Sequence, residues 1–230
     1  MQKPKKVGIC AYCGKYKPLT RDHIPPQCFF GKPLPNDLIT VPCCVDCWKG
    51  QSMDDEYFRA TVISSANLWQ APGTAKVYDS FMRSLKKPNK RGFAQMYLGG
   101  LTQVEIRTKS GIYLGSEPAL KLDEVRFYRV ADRIASGLFF HEKKYPVPEG
   151  YLIMNMPFQF NLSDFLIKNF DGIAFSPMRL VGNGLFAYSF TCTVEDENSG
   201  IIISFFYKKL PFIGFIRAPR NQRQMATNTI

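Results

Sequence analysis

Six residues near the N-terminus have the types and spacing to do chemistry: Cys10, Cys13, Cys44 and Cys47, with Asp22 and His23 between the two cysteine pairs. A Cys-x-x-Cys turn followed by Gly14 lets two thiolates and the neighbouring backbone N–H groups face one ion. Thiolates suit Zn²⁺, which takes four ligands tetrahedrally. Two such pairs predict one structural zinc site with Cys10, Cys13, Cys44 and Cys47 as its ligands. A stretch this rich in Gly and Pro has little core of its own, so metal is what would hold it. Cys43 competes with Cys44, but only Cys44 has the two-residue gap to Cys47. Cys28, Cys43 and Cys192 read as small apolar packers.

The elements that must position these residues follow from local patterning. Residues 1–9 read as a lysine-bearing arm. Residues 15–20 read as the outgoing strand of a small hairpin, and His23 as its end, because Pro25 and Pro26 impose a stiff exit. Residues 29–35 form a Gly/Pro-rich loop. Residues 38–41 form a β-branched strand that Pro42 ends, and Cys43–Cys47 opens a helix. Gly50 interrupts that helix. Ser52 with Asp55 three residues on resembles a capping box, and a longer helix should run to about Trp69, with Met53, Tyr57, Ala60, Ser64 and Leu68 near one face.

Further along, a helix is expected around 78–85, then a loop with four cations, Lys86, Lys87, Lys90 and Arg91. A hairpin turns at Lys109-Ser110-Gly111. Asp123 should N-cap the strongest helix of the second half, to about His141, with Phe127, Val130, Ala131, Ile134 and Leu138 as its apolar stripe. A strand over 151–156 and a short helix over 163–170 come next. Residues 186–194, 201–207 and 212–216 predict a three-stranded antiparallel meander with one face against a helix. The tail from Ala218, with Arg220 and Arg223, is polar and basic. The expected class is α+β: a small zinc-stabilised module over 1–72, then an α+β domain with an antiparallel sheet over 73–230.

Composition narrows the setting. A net charge of +11 favours a polyanionic partner, nucleic acid before others. No run of about 18 apolar residues exists to span a membrane, and no apolar segment follows the basic N-terminus as a signal peptide would need. Seven cysteines, four of them in tight pairs, favour metal in a reducing, cytoplasmic compartment over disulfides. The sequence shows neither a phosphate-binding glycine loop nor a Gly-x-Ser-x-Gly elbow.

The order Cys-x-x-Cys, Asp-His-x-x-Pro, then Cys-x-x-Cys opening a helix resembles the HNH endonuclease family, in its zinc-containing treble-clef or ββα-metal form, over about residues 8–60. The resemblance implies a phosphodiesterase acting on DNA, in a bacterial, phage or mobile-element setting. It implies His23 as the general base that activates water, and Asp22 as a ligand of a catalytic Mg²⁺ or Mn²⁺. Asn36, beside Asp37, is the candidate to orient the histidine.

The pattern departs at Trp48, where the family carries a His or Asn ligand. On a continuous helix, positions 48, 52 and 55 share a face, so Ser52 and Asp55 could supply oxygen instead. Acids in a first helical turn are also favoured by the helix dipole alone, which leaves two readings of Asp54, Asp55 and Glu56. Trp48 itself could pack under the zinc knuckle or mark a site that has lost catalysis. His141 reads as a cation at a helix C-terminus. The rival functions are a nucleic-acid-binding shell without catalysis, and a zinc-stabilised module that binds a protein partner or a second copy of the chain.

Overall fold

The computed structural model describes residues 6–157, 173–193 and 196–219. It is mixed α and β with antiparallel sheets, and the four-cysteine cluster lies at its N-terminal end. Strands β1 (Val7–Ile9), β2 (Tyr16–Ile24) and β3 (Ile39–Cys44) form a three-stranded sheet in that order. Residues 7–9 are therefore a paired edge rather than part of a loose arm. Pro42 does not end β3. It lies opposite Arg21 on the outer strand of the sheet, where a missing N–H costs no ladder bond, and its carbonyl accepts the Ala11 N–H at 2.8 Å.

The short helix α1 (Val45–Trp48) stops at Lys49, and Gly50 turns the chain at φ +84° into α2 (Ser52–Ser64). Ser52 is the first helical residue, not a cap. Gln51 stands at the cap position without a side-chain capping bond. A 3₁₀ segment continues from α2 through Gln70, and the expected face keeps Tyr57, Ala60 and Leu68 buried while Met53 is exposed. The four-cation stretch is a 3₁₀ turn leading into a helix, between α3 (Ala75–Leu85) and α4 (Arg91–Gly99).

The hairpin of β4 (Leu101–Arg107) and β5 (Tyr113–Leu120) projects from the body, every residue of β4 exposed. Then α5 (Glu124–Lys143) begins as expected, Asp123 Oδ1 accepting the Arg126 N–H at 3.2 Å, and its whole predicted stripe is buried. The meander is the centre of a larger sheet. Strands β8 (Phe186–Cys192), β9 (Gly200–Phe206) and β10 (Leu210–Arg217) are flanked by β7 (Arg179–Val181) and β6 (Leu152–Pro157), in the order β6-β10-β9-β8-β7. The helix expected over 163–170, and Arg220 and Arg223 of the tail, lie outside the described residues.

One apolar cluster reaches from Ala11 to Ile216. At its centre Phe58 of α2 meets Phe127 of α5 at 4.6 Å between ring centroids, Phe29 at 5.4 Å and Phe206 of β9 at 5.6 Å. Tilted and edge-on ring pairs at these distances add to the energy of burial. The cluster clamps α5 between the two sheets. Gly137 allows its close approach, because a Cβ there would meet Ile24 of β2 at 2.5 Å. One turn earlier, that approach delivers Arg133 to the end of β2. Gly137→Val should therefore destabilise the fold by about 1–3 kcal/mol, the range for overpacking a filled core, although it raises helix propensity. A denaturant titration checks this, an unchanged midpoint being the contrary result.

Candidate metal centre and cleft

The first cysteine pair sits in the turn between β1 and β2, closed by Cys10 O accepting the Gly14 N–H at 3.0 Å with Gly14 at φ +67°. The second pair spans the end of β3 and α1. β-ladder pairing of Leu19 with Cys44 brings the two together. The four sulfurs all lie within 4.8 Å of one another, and Cys13 Sγ is 3.8 Å from Cys44 Sγ. Zinc–thiolate bonds of roughly 2.3 Å at tetrahedral angles put sulfurs about 3.8 Å apart, so the cluster fits a metal ion such as zinc.

The protonation chemistry agrees. Burial pushes the Cys10 thiol up, but N–H groups from Cys13, Cys44 and Tyr12 outweigh it and bring it down to about 7. Burial raises Cys13 and Cys47, and neighbouring thiols add to the rise at Cys47. Four close thiols cannot all ionise without a cation between them.

Beside this centre opens a cleft of about 630 Å³. Asp22, His23, Trp48, Ser52 and Asp55 all line it, but Trp48 ends α1 and Ser52 and Asp55 lie in α2, so they do not share the face of one continuous helix. Trp48 is 55% exposed at this cleft and does not pack under the knuckle. Asn36 is not brought to His23. It lines a separate depression with Asp37, Thr40 and His141. The group that touches the imidazole is Gln27, whose Nε2 lies 3.2 Å from Nδ1 and 3.1 Å from Nε2. Burial lowers the His23 pKa below its usual 6.5, the Asp22 charge opposing and the Arg21 charge assisting. The ring is therefore neutral near pH 7. His141 is lowered as well, by burial and then by Lys144, so it is not the expected helix-end cation.

Behind the lining acids lies Arg133, buried and 78 residues from its partner Asp55. Its guanidinium donates to Asp55 Oδ1 and, at 2.6 Å, to Gln51 Oε1. Its Nε lies 3.5 Å from Asp22 Oδ2. That same oxygen accepts the Tyr12 hydroxyl at 2.6 Å, and Asp22 Oδ1 accepts the His23 N–H at 3.0 Å. Gln51 also donates to Cys47 O. Two tethers thus run from the cysteine knuckles to this cluster, Tyr12 to Asp22 and Gln51 to Arg133.

The remaining acids of the α2 first turn are paired too. Asp54 takes Arg126 and Arg129, and Glu56 takes Lys90 and Arg59. Burial pushes Asp55 up to about 6 against the pull of Arg133. Tyr12 shows itself in the sequence only as a filler of the Cys-x-x-Cys turn, and Arg133 as one cation among several on an exposed-looking helix face. No family model, no curated protein and no solved structure matches the chain.

The purified chain should carry one zinc per molecule, and strong chelation should lower its melting temperature, measured by metal analysis and thermal scan. A chain that melts identically with and without chelator contradicts this. Arg133→Met should cost about 3 kcal/mol, because it removes the cation that pairs the buried Asp22 and the half-buried Asp55, and adding Asp22→Asn and Asp55→Asn should recover much of the loss. Urea titrations of the single and triple variants read the difference.

Proposed function

We propose that the chain is a metal-dependent phosphodiester hydrolase of the HNH type acting on DNA, built on a zinc-held treble-clef-like module. The observation that carries this reading is the convergence of a neutral His23 with Asp22 and Asp55 in one cleft lined by cations, Lys49 and Lys87 among them. The imidazole is free to accept a proton from water, and Gln27 is placed to hold its ring. Lys49 and Lys87 offer charge to non-bridging phosphate oxygens.

Asp22 and Asp55, with the Ser52 hydroxyl, form the hard-oxygen set that would hold Mg²⁺ or Mn²⁺. Such an ion, when bound, stabilises charge on the scissile phosphate. The set suits it in donor type, since each carboxylate has lone pairs beyond those given to Arg133. Asp55 differs from the family ligand at position 48, and its oxygen reaches the same cleft from further along the chain. Trp48, exposed at the mouth, offers a face on which a base can stack.

A second reading has its own support. Arg133 already neutralises both carboxylates, and Trp48 stands where the family has a ligand. A shell that binds nucleic acid without cutting would look like this.

Plasmid nicking separates the two. The first expects nicking that needs Mg²⁺ or Mn²⁺ and falls about 10²–10⁴-fold in His23→Ala, with zinc content unchanged. A base works unprotonated, so the rate should climb with pH and then level off, with its midpoint below 6.5. Wild type that binds DNA with steep salt dependence but never nicks it favours the second reading.

A further inference from the structure

Three depressions on the surface join into one groove. The His23 cleft shares Gln27, Cys28, Arg59 and Ser80 with a neighbour of about 530 Å³. That neighbour shares Gly31, Lys32 and Lys76 with a third of about 500 Å³, which ends at Lys208 in the β9–β10 turn. Beyond the cleft the groove is cationic. Lys32, Lys76 and Arg83 line its middle against a single acid, Asp79, and no acid lines its far end among the described residues. None of the four cations, Lys208 included, is buried, and none has an ion pair among the described residues.

Two features show that the fold accepts a cost to place them. Gly31 lets the loop after His23 press onto α3, where a Cβ would meet the Lys76 Cβ at 2.8 Å. This sets Lys32 in the same depression as Lys76, neither with an ion pair among the described residues. At the far end, Tyr207 and Lys208 hold φ of +52° and +63° at the centre of a tight hairpin turn. Such turns favour Asn-Gly, and side chains like these are strained there. Tyr207 is buried, its hydroxyl donating to Phe29 O at 3.3 Å, which fixes the turn and aims Lys208 outward at the groove mouth.

We infer that this groove seats the phosphate backbone of the nucleic acid flanking the scissile position, carrying it from the cleft across α3 to the β9–β10 turn. The inference rests on the nuclease reading for the direction of the strand. Continuity with the His23 cleft favours nucleic acid over an acidic protein, and cations along the whole length match a ligand charged at every repeat.

The test measures binding in the His23→Ala background, so that no cutting intervenes, with a linear DNA duplex several helical turns long. The variant combines Lys32→Gln, Lys76→Gln, Arg83→Gln and Lys208→Gln. Its comparator removes the same charge elsewhere, through Lys6→Gln, Lys15→Gln, Lys109→Gln and Lys121→Gln. The groove variant should reduce the slope of log affinity against log salt by about 3–4, at roughly 0.9 for each phosphate that is no longer neutralised, and the comparator by clearly less. Lys208→Asn alone should raise the melting temperature by relieving the turn, yet weaken binding, a pair of shifts that loss of folding cannot produce.

Equal slopes for groove variant and comparator overturn the inference, and plasmid nicking by wild type would then still stand by itself. Slope loss confined to the groove variant supports it, even if wild type never nicks. Tighter capture of polyglutamate than of the duplex through the same four side chains overturns the assignment to nucleic acid.

Discussion

A single guanidinium holds the cleft together. Arg133 is buried between Asp22 and Asp55, with Gln51 taking a further N–H. Removing charged groups from water is costly, and their mutual attraction repays it only when geometry is good; the Arg133 Nε makes a charge contact with Asp22 at 3.5 Å but no hydrogen bond. Burial opposes the Arg133 charge, and the Asp55 and Asp22 carboxylates more than offset it. The arrangement joins β2, the start of α2 and the middle of α5 at one point. None of the three can shift without breaking a charge pair made by the buried Arg133.

That junction gives the metal centre a reach beyond its own loop. Tyr12 stands between Cys10 and Cys13, and its hydroxyl ends on Asp22. Burial and the Asp22 charge push its phenol far up, which makes it a dedicated donor. Gln51 lies shortly after Cys47 and bonds both the Cys47 carbonyl and Arg133. The position of the acids is thus set from two sides, by the knuckles and by the packed helix. Helix α5 is no passive support, since it supplies the charge that the acids of β2 and α2 require.

What could be read from the chain was what depends on short spacing. The four cysteines were legible because a tetrahedral site made of Cys-x-x-Cys pairs leaves a fixed local pattern. Asp22 and His23 drew notice by their place between the two cysteine pairs, and both line the cleft beside that cluster. The stripe of α5 and its Asp123 cap were legible from helical period. Arg133 was not, because nothing local distinguishes a cation destined for burial from its more solvated neighbours Arg126 and Arg129 on the same helix. Gln27 escaped for a related reason. Its proximity to His23 comes from the turn after the prolines, whereas Asn36 attracted notice by its place in a motif and lies in another depression. Pro42 misled through a sound rule, since proline ends a strand only where its N–H is needed. Ser52 resembled a cap because Asp55 follows at the right interval, but Asp55 is engaged by Arg133.

The β4–β5 hairpin shows the opposite economy. Its strands pair chiefly with each other, and only Leu120 at its base joins the main cluster. A two-stranded ribbon in water is marginal by itself, so this one adds little to the rest and asks little of it. Its tip at Lys109-Ser110-Gly111 is thus a natural seam in the gene. Segments can be lengthened, trimmed or exchanged there over evolutionary time, or an engineer can graft a reporter or affinity handle there, with the junction at Arg133 undisturbed.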